Sequence, residues 1–372
     1  MPIHSLNGTI VLIMATLLLF LVVLSLLVFV HELGHFLVAK KMGMKVEEFG
    51  FGFPPRAIGV KKGDTTYSIN WIPLGGFVRI KGESGENRTD HDSFASKKAW
   101  QRFFVLVAGV AMNLVLAAVL LSIVFMIGLP TAIEETLPAN ARVQETTLTV
   151  ATVVKDSPAA QAGIQEGDVI VSLDGRVFEK ADEARAYIGE SASDGVQVLV
   201  KSKKDDGYYT YDLTAEALTG TETIGIGVGF LQIGVVTYPF FEAIGQGVKS
   251  TIEFTKLVVE GFVGLIVNLV TGKGVGVELS GPVGIAVLTG QVAALGFAYL
   301  LQFTALLSIN LAVINILPFP ALDGGRVLFL LIEKLRGQPV SQKVEGMVHN
   351  AGFLLLMVLV VFVTFKDIVN FF

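Results

Sequence analysis

Cysteine is absent from the 372 residues. That absence excludes disulfides, Cys-ligated zinc and thiol catalysis, so any metal must be held by histidine and carboxylate. It does not fix the redox compartment. Charge is also scarce: Asp, Glu, Lys and Arg make up 16% of the chain, against about 25% in a soluble domain. Mean hydropathy is +0.65. This composition excludes a disordered chain, which needs low hydrophobicity and high charge, and argues against a purely soluble enzyme. A basic excess is missing too. The net charge is −5 and the pI about 5.6, so there is no footprint for nucleic acid. Length alone allows roughly two to three domains.

The gaps in charge locate the membrane. Residues 6–30 carry none, and 25 residues at about 1.5 Å each can cross a hydrocarbon core of about 30 Å. No basic segment precedes them and the apolar run is too long for a signal peptide, so a retained span is expected. Residues 103–129 form a second uncharged run, and residues 281–322 a third of 42 residues. That is too long for one simple span. A helix is expected near 297–317, after an interfacial or re-entrant stretch. A fourth span is expected over about 348–368. Lys and Arg set the orientation. Twelve lie between Lys40 and Arg102, and Arg326, Lys334, Arg336 and Lys343 follow the third span. Residues 129–248 hold 8 Lys or Arg against 18 Asp or Glu. Residues 40–102 and 323–347 should therefore be cytoplasmic, with the acidic insert and both termini outside.

The insert over 140–232 reads as a compact α+β domain. Strands are expected at 150–154, 197–202, 208–213 and 224–228, and a helix at 181–188. Asp174-Gly175 signals a hairpin turn. Residues 239–270 are amphipathic, with Glu242, Lys249, Glu253, Lys256 and Glu260 set around an apolar face. That pattern suits a helix lying on the membrane surface.

The strongest chemical signal is His31-Glu32-Leu33-Gly34-His35. On a helix, positions i and i+4 share one face, so two imidazoles can bind one zinc ion and the Glu between them can take a proton from water. These groups interrupt the inner end of an otherwise uncharged span, where ionisable side chains are costly and tend to be functional. A catalytic zinc usually has three protein ligands. His4 sits at the opposite end of the first span. His91 and His349 lie in or beside cytoplasmic segments and stay open. Asp323 is better placed: it is the first charge after 42 uncharged residues, and the third span delivers it to the side that holds His31 and His35.

With these residues in view, the sequence resembles the site-2 protease family of intramembrane zinc metalloproteases, in its bacterial RseP/RasP-like branch. The resemblance rests on the His31–His35 motif paired with Leu322-Asp323-Gly324. Pro73-Leu74-Gly75-Gly76-Phe77-Val78 and Gly281-Pro282-Val283-Gly284-Ile285 add to it, as does one outer domain similar to a PDZ domain. It implies a polytopic α-helical membrane protein of about four spans, with a re-entrant β-hairpin region at 46–80 on the cytoplasmic side and an inserted α+β PDZ domain. Residues 1–129 and 281–372 would be the two halves of the membrane core. It further implies Zn2+ on His31, His35 and Asp323, Glu32 as the base that activates water, and Asn315 as a holder of the substrate backbone. Gly50, Phe51 and Gly52 are expected to meet substrate in the hairpin, because a strand edge can replace hydrogen bonds that an unwinding helix loses. Gly225, Ile226 and Gly227 look like a PDZ carboxylate loop able to take a peptide C-terminus. Two departures stand out. Val110 occupies the place where many relatives carry Pro before the residue equivalent to Asn113, and there is room for one PDZ domain rather than two.

The function implied is regulated intramembrane proteolysis in the bacterial inner membrane. Its substrates would be single-span proteins or membrane stubs, such as anti-sigma factors or signal-peptide remnants. A membrane scaffold would have no need of His31, Glu32, His35 and Asp323. A transporter is disfavoured by the lack of an inverted repeat of spans.

Overall fold

The computed structural model describes residues 3–133, 140–191, 195–217, 224–273 and 280–371. Parts of the insert expected over 140–232, namely 192–194 and 218–223, lie outside the described residues. The chain forms two compact units. One comprises Met1–Val124 with Ile244–Phe372, the other Phe125–Ala243.

The first unit begins with helix α1 (Ile3–Lys41), followed by strands β1 (Val46–Lys62) and β2 (Thr65–Ile80), a short 3-10 turn at Phe94–Ser96, and helix α2 (Ala99–Ile127). The two strands fold back on themselves. Segment 46–53 of β1 pairs on one side with 66–72 of β2 and on the other with 76–80, and segment 56–62 pairs with 65–70. Two consecutive glycines weaken a strand, yet β2 runs through Gly75-Gly76. Gly75 takes φ +73°, which bends the strand and lets Gly76 pair with Phe51. A side chain at Gly75 would sit 2.7 Å from Val28 of α1. Ser25 of α1 donates to the Pro73 carbonyl (2.8 Å) and accepts from the Gly75 N–H (3.2 Å), pinning that bend to the helix. Phe49 stacks on Phe36, with ring centroids 4.7 Å apart.

The second unit carries β3 (Leu129–Ala132), β4 (Arg142–Val153), helix α3 (Pro158–Ala162), β5 (Val169–Leu173), helix α4 (Ala181–Glu190), β6 (Val196–Lys201), β7 (Tyr208–Leu213), β8 (Glu216–Ala217), β9 (Ile224–Gly225) and β10 (Val228–Thr237). Six strands form one antiparallel sheet in the order β3-β10-β4-β5-β6-β7, and β8 pairs with β9. Alternate residues Val196, Val198 and Val200 fall on the core face with Leu148, Val150 and Leu173, the period-2 burial of a strand with one buried face. Ser157 caps α3 by accepting from the Ala160 N–H, and Gly163 ends it at φ +91°. Asp174-Gly175 does make a tight turn with both φ values positive, but it joins no hairpin of two long strands. The chain continues into α4 before returning as β6, which pairs with β5.

Back in the first unit, α5 (Phe240–Val270) packs Gly247 against Ala118 and Ser122 of α2. Then come α6 (Pro282–Leu295), α7 (Phe297–Ile316), α8 (Asp323–Arg336) and α9 (Gln342–Phe371). Among the described residues, four helices are long and apolar enough to cross a membrane: Ile13–Lys41, Ala99–Ile127, Phe297–Ile316 and Gln342–Asn370. Helix α6 is shorter. The carboxylate of Asp367 accepts from the N–H groups of Gly281 (3.2 Å) and Gly284 (2.7 Å) at its start, as a cap supplied by α9. A core of Ala39, Met44, Val46, Ile80, Phe94, Val105, Leu106 and Leu330 joins α1, the strands, α2 and α8 at the C-terminal end of α1.

Candidate metal centre

Helix α1 runs unbroken past the motif to Lys40 and Lys41, so His31 and His35 stand one turn apart on a buried face. Their Nε2 atoms are 3.2 Å apart. Asp323, the first residue of α8, places Oδ2 3.0 Å from His31 Nε2 and 3.3 Å from His35 Nε2. Among the described residues these form a cluster able to hold a metal ion. Gly324 and Gly325 permit this start to α8: a Cβ on either would lie 2.2–2.3 Å from the carbonyl oxygens of Ile316 and Phe319.

The donor set fits zinc. Bonds of about 2.0–2.1 Å in a tetrahedral site imply ligand atoms about 3.3–3.4 Å apart, close to the separations of 3.0–3.3 Å seen here. The tautomer agrees. His35 Nδ1 lies 2.8 Å from the Val105 carbonyl, which can only accept. The ring proton therefore sits on Nδ1, and the Nε2 lone pair faces the cluster. With protons on Nε2 instead, as when no metal is bound, the two imidazoles donate to Asp323 and hold its carboxyl below the usual carboxylate range, against the burial that would raise it. Gly109 of α2 leaves the room. A Cβ there would stand 2.4 Å from His35 Nε2 and 2.7 Å from His31 Nε2.

Glu32 points elsewhere on the same turn. Its Oε2 accepts from the backbone N–H of Val78 in β2, at 3.1 Å. An open pocket is lined by His31, Glu32, Asn315 and Asp323 together with apolar Val28 and Leu311. The structure thus brings Asn315, Glu32 and the three donors together. It does not bring in the other histidines described. His91 is exposed, and His349 Nδ1 accepts from the Ala321 N–H at 2.8 Å. Gly50 and Phe51 lie in the inner segment of the hairpin, paired on both sides, and the Gly52 carbonyl accepts from Asn70. Gly225, Ile226 and Gly227 belong to the second unit, where the Ile226 and Gly227 carbonyls accept from Ala159 and Val154.

Sequence reasoning missed several neighbours. The Val105 carbonyl and Val78 N–H leave no trace in residue type. Gly109 and Asn113 did leave one, a small residue and an amide four apart on an apolar helix. Asn113 lies fully buried with its amide 3.3 Å from His31 Nδ1.

A family model described as Peptidase family M50 matches residues 19–359. A Clostridium perfringens protein named as a zinc metalloprotease is 38% identical, over 94% of this chain and 97% of its own. The Regulator of sigma-W protease RasP of Bacillus subtilis is 31% identical, over 95% and 98%. The PDZ domain of an SdrC-like protein from Listeria monocytogenes covers 24% of this chain and 92% of its own, at 29% identity and a TM-score of 0.21. The matches at this length and identity, to proteins named as proteases and in one case as a zinc metalloprotease, meet a donor set that suits zinc in a chain with four membrane-length helices among the described residues. The chain belongs to peptidase family M50, as a multi-pass membrane zinc metalloprotease of the site-2 type.

Proposed function

We propose that this metalloprotease cuts single-span membrane proteins, or membrane stubs left by an earlier cut outside, such as anti-sigma factors or signal-peptide remnants. One observation carries the reading: His31, His35 and Asp323 converge beside Glu32 near the C-terminal end of a membrane-length helix. His31, His35 and Asp323 hold the zinc. When bound, zinc polarises the scissile carbonyl and makes water easier to deprotonate. Glu32 takes the proton from the attacking water and passes it to the leaving amine, so that water adds across the C–N bond. The Val78 N–H holds one oxygen of Glu32 and so aims the carboxylate. Asn315, on the wall of the same pocket, hydrogen-bonds the substrate backbone.

A helical substrate must unwind before its carbonyl can be attacked. Gly50–Gly52 lies inside the hairpin, so the outer segment nearest Glu32 is 76–80, whose Val78 N–H Glu32 already takes, and an unwound substrate adds alongside it as a strand through the other backbone groups. An apolar recess between α1, α6 and α7, with Leu24, Leu27, Ile285 and Ile314 on its walls, shares Leu311 with the metal pocket. It accepts apolar side chains flanking the cut. The charge distribution supports a bacterial inner-membrane orientation with residues 40–102 and 323–347 cytoplasmic and the insert and both termini outside, and α5 lying along the bilayer surface. The insert acts as a PDZ-like module. Arg185 of α4 donates to the Phe230 carbonyl of β10 at 3.1 Å, which an incoming peptide C-terminus, held near Gly225–Gly227, would displace.

The test is proteolysis in liposomes. The purified protein should cut a single-span substrate within its apolar stretch, as located by mass spectrometry, while Glu32→Gln should not. Cuts confined to soluble segments, or equal cutting by the variant, would refute the proposal.

A further inference from the structure

We infer that Asn113 positions His31 as a zinc ligand through its side-chain carbonyl. Asn113 sits in the middle of α2 and is fully buried. An amide buried in an apolar helix is costly unless it is hydrogen-bonded. As placed, its Nδ2 lies 3.3 Å from His31 Nδ1, while its Oδ1, equally buried, has no partner among the described residues. Its backbone carbonyl accepts from Ser308 of α7 at 2.8 Å, so two membrane-length helices meet at this residue. Gly109, one turn earlier on α2, clears space for both imidazoles.

The chemistry selects which end of the amide must face the ring. His31 aims Nε2 at the cluster. A metal on that lone pair leaves the ring proton on Nδ1, where it needs an acceptor. A half-turn about the last side-chain torsion exchanges the amide oxygen and nitrogen, whose positions follow from the hydrogen-bond network. The oxygen is the end that satisfies Nδ1–H. The two imidazoles then have matched supports: the Val105 carbonyl for His35 and the Asn113 side-chain carbonyl for His31. Asn113 is thus a positioning residue. It sets the tautomer and ring angle of His31 and touches no substrate.

The test is zinc affinity, measured by competition with a chromophoric chelator on the detergent-purified full chain. Asn113→Leu keeps the volume and removes the acceptor. It should bind zinc about 10- to 100-fold more weakly, the usual cost of losing an outer partner of a ligating histidine. Asn113→Asp keeps only acceptors and should stay within about threefold of wild type, since a carboxylate supports a zinc-bound histidine equally well. Wild-type affinity in Asn113→Leu overturns the inference. So does an Asn113→Asp protein that, while folded, binds as weakly as the Leu variant, because the amide would then act as a donor. If the Leu variant does not fold, Asn113→Ala replaces it; if neither folds, Asn113→Asp alone decides between acceptor and donor. The inference rests on the zinc assignment of His31, His35 and Asp323. A wild-type protein that binds no zinc sinks that assignment, whereas zinc binding indifferent to residue 113 overturns only the role of Asn113.

Discussion

Replacing Gly109 with alanine adds one methyl group, and its effect can be worked from the structure. The new Cβ would stand 2.4 Å from His35 Nε2, 2.6 Å from His31 Cε1 and 2.7 Å from His31 Nε2. Ordinary contact begins near 3.4 Å, so the rings or α2 must move by about 1 Å, whereas metal–ligand distances tolerate only about 0.2 Å. Alanine favours a helix over glycine by about 1 kcal/mol, so α2 itself should not weaken. The damage should fall on the metal centre. We expect zinc content well below one per chain and a fall in kcat/KM of about 100-fold or more, the scale of a 1 Å misplacement. The assay combines elemental analysis after dialysis with cleavage of a single-span substrate, and hydrogen exchange across α2 as the folding control. A Gly109→Ala protein with full zinc and near-wild-type cleavage would show that the imidazoles do not pack as described.

Other outcomes follow from single contacts. Glu32→Gln should retain zinc and lose about 10²–10⁴ in kcat, as expected on removing a general base; equal loss of zinc would recast Glu32 as a ligand. Ser25→Ala removes two hydrogen bonds from the bend at Pro73–Gly75 and should loosen the hairpin by about 1–2 kcal/mol, read as faster hydrogen exchange at residues 75–78. Arg102 pairs Glu333 through two hydrogen bonds of 2.6 and 3.1 Å, with side chains 15% and 27% exposed. Arg102→Ala strands a half-buried carboxylate on α8 and should cost about 1–3 kcal/mol, measured by thermal unfolding. Arg185→Ala frees the Phe230 carbonyl and should tighten binding of a C-terminal peptide by a few-fold in fluorescence titration; unchanged binding would place the peptide elsewhere.

The sequence was most legible where charge broke an apolar pattern. His31, Glu32 and His35 interrupt one span and Asp323 ends another, and the structure brings three of these to one point. Membrane-length helices were legible for the same reason, since each contains a long stretch with little or no charge. Where backbone conformation decides, residue type misled. Gly75-Gly76 suggested a break, but a positive φ at Gly75 only bends β2. Asp174-Gly175 suggested a hairpin, but the local turn does not determine which strand pairs next. The strand expected at 224–228 is split: Ile224–Gly225 is β9, and β10 begins at Val228 and runs through Gly229 and Gly234 to Thr237, because pairing with β4 and β3 overrides weak glycine propensity. Asn113 was visible as an amide in a span, but a buried amide can pair with many partners, and only the crossing of α1 and α2 selects His31.

Zinc-edge X-ray absorption on the wild-type protein and on Asp323→Ala tests the central claim most directly. The account predicts two imidazole nitrogens and one carboxylate oxygen at about 2.0–2.1 Å in the wild type, with zinc lost or strongly weakened in Asp323→Ala. A first shell of three imidazoles, or an unchanged spectrum and affinity in Asp323→Ala, would contradict it.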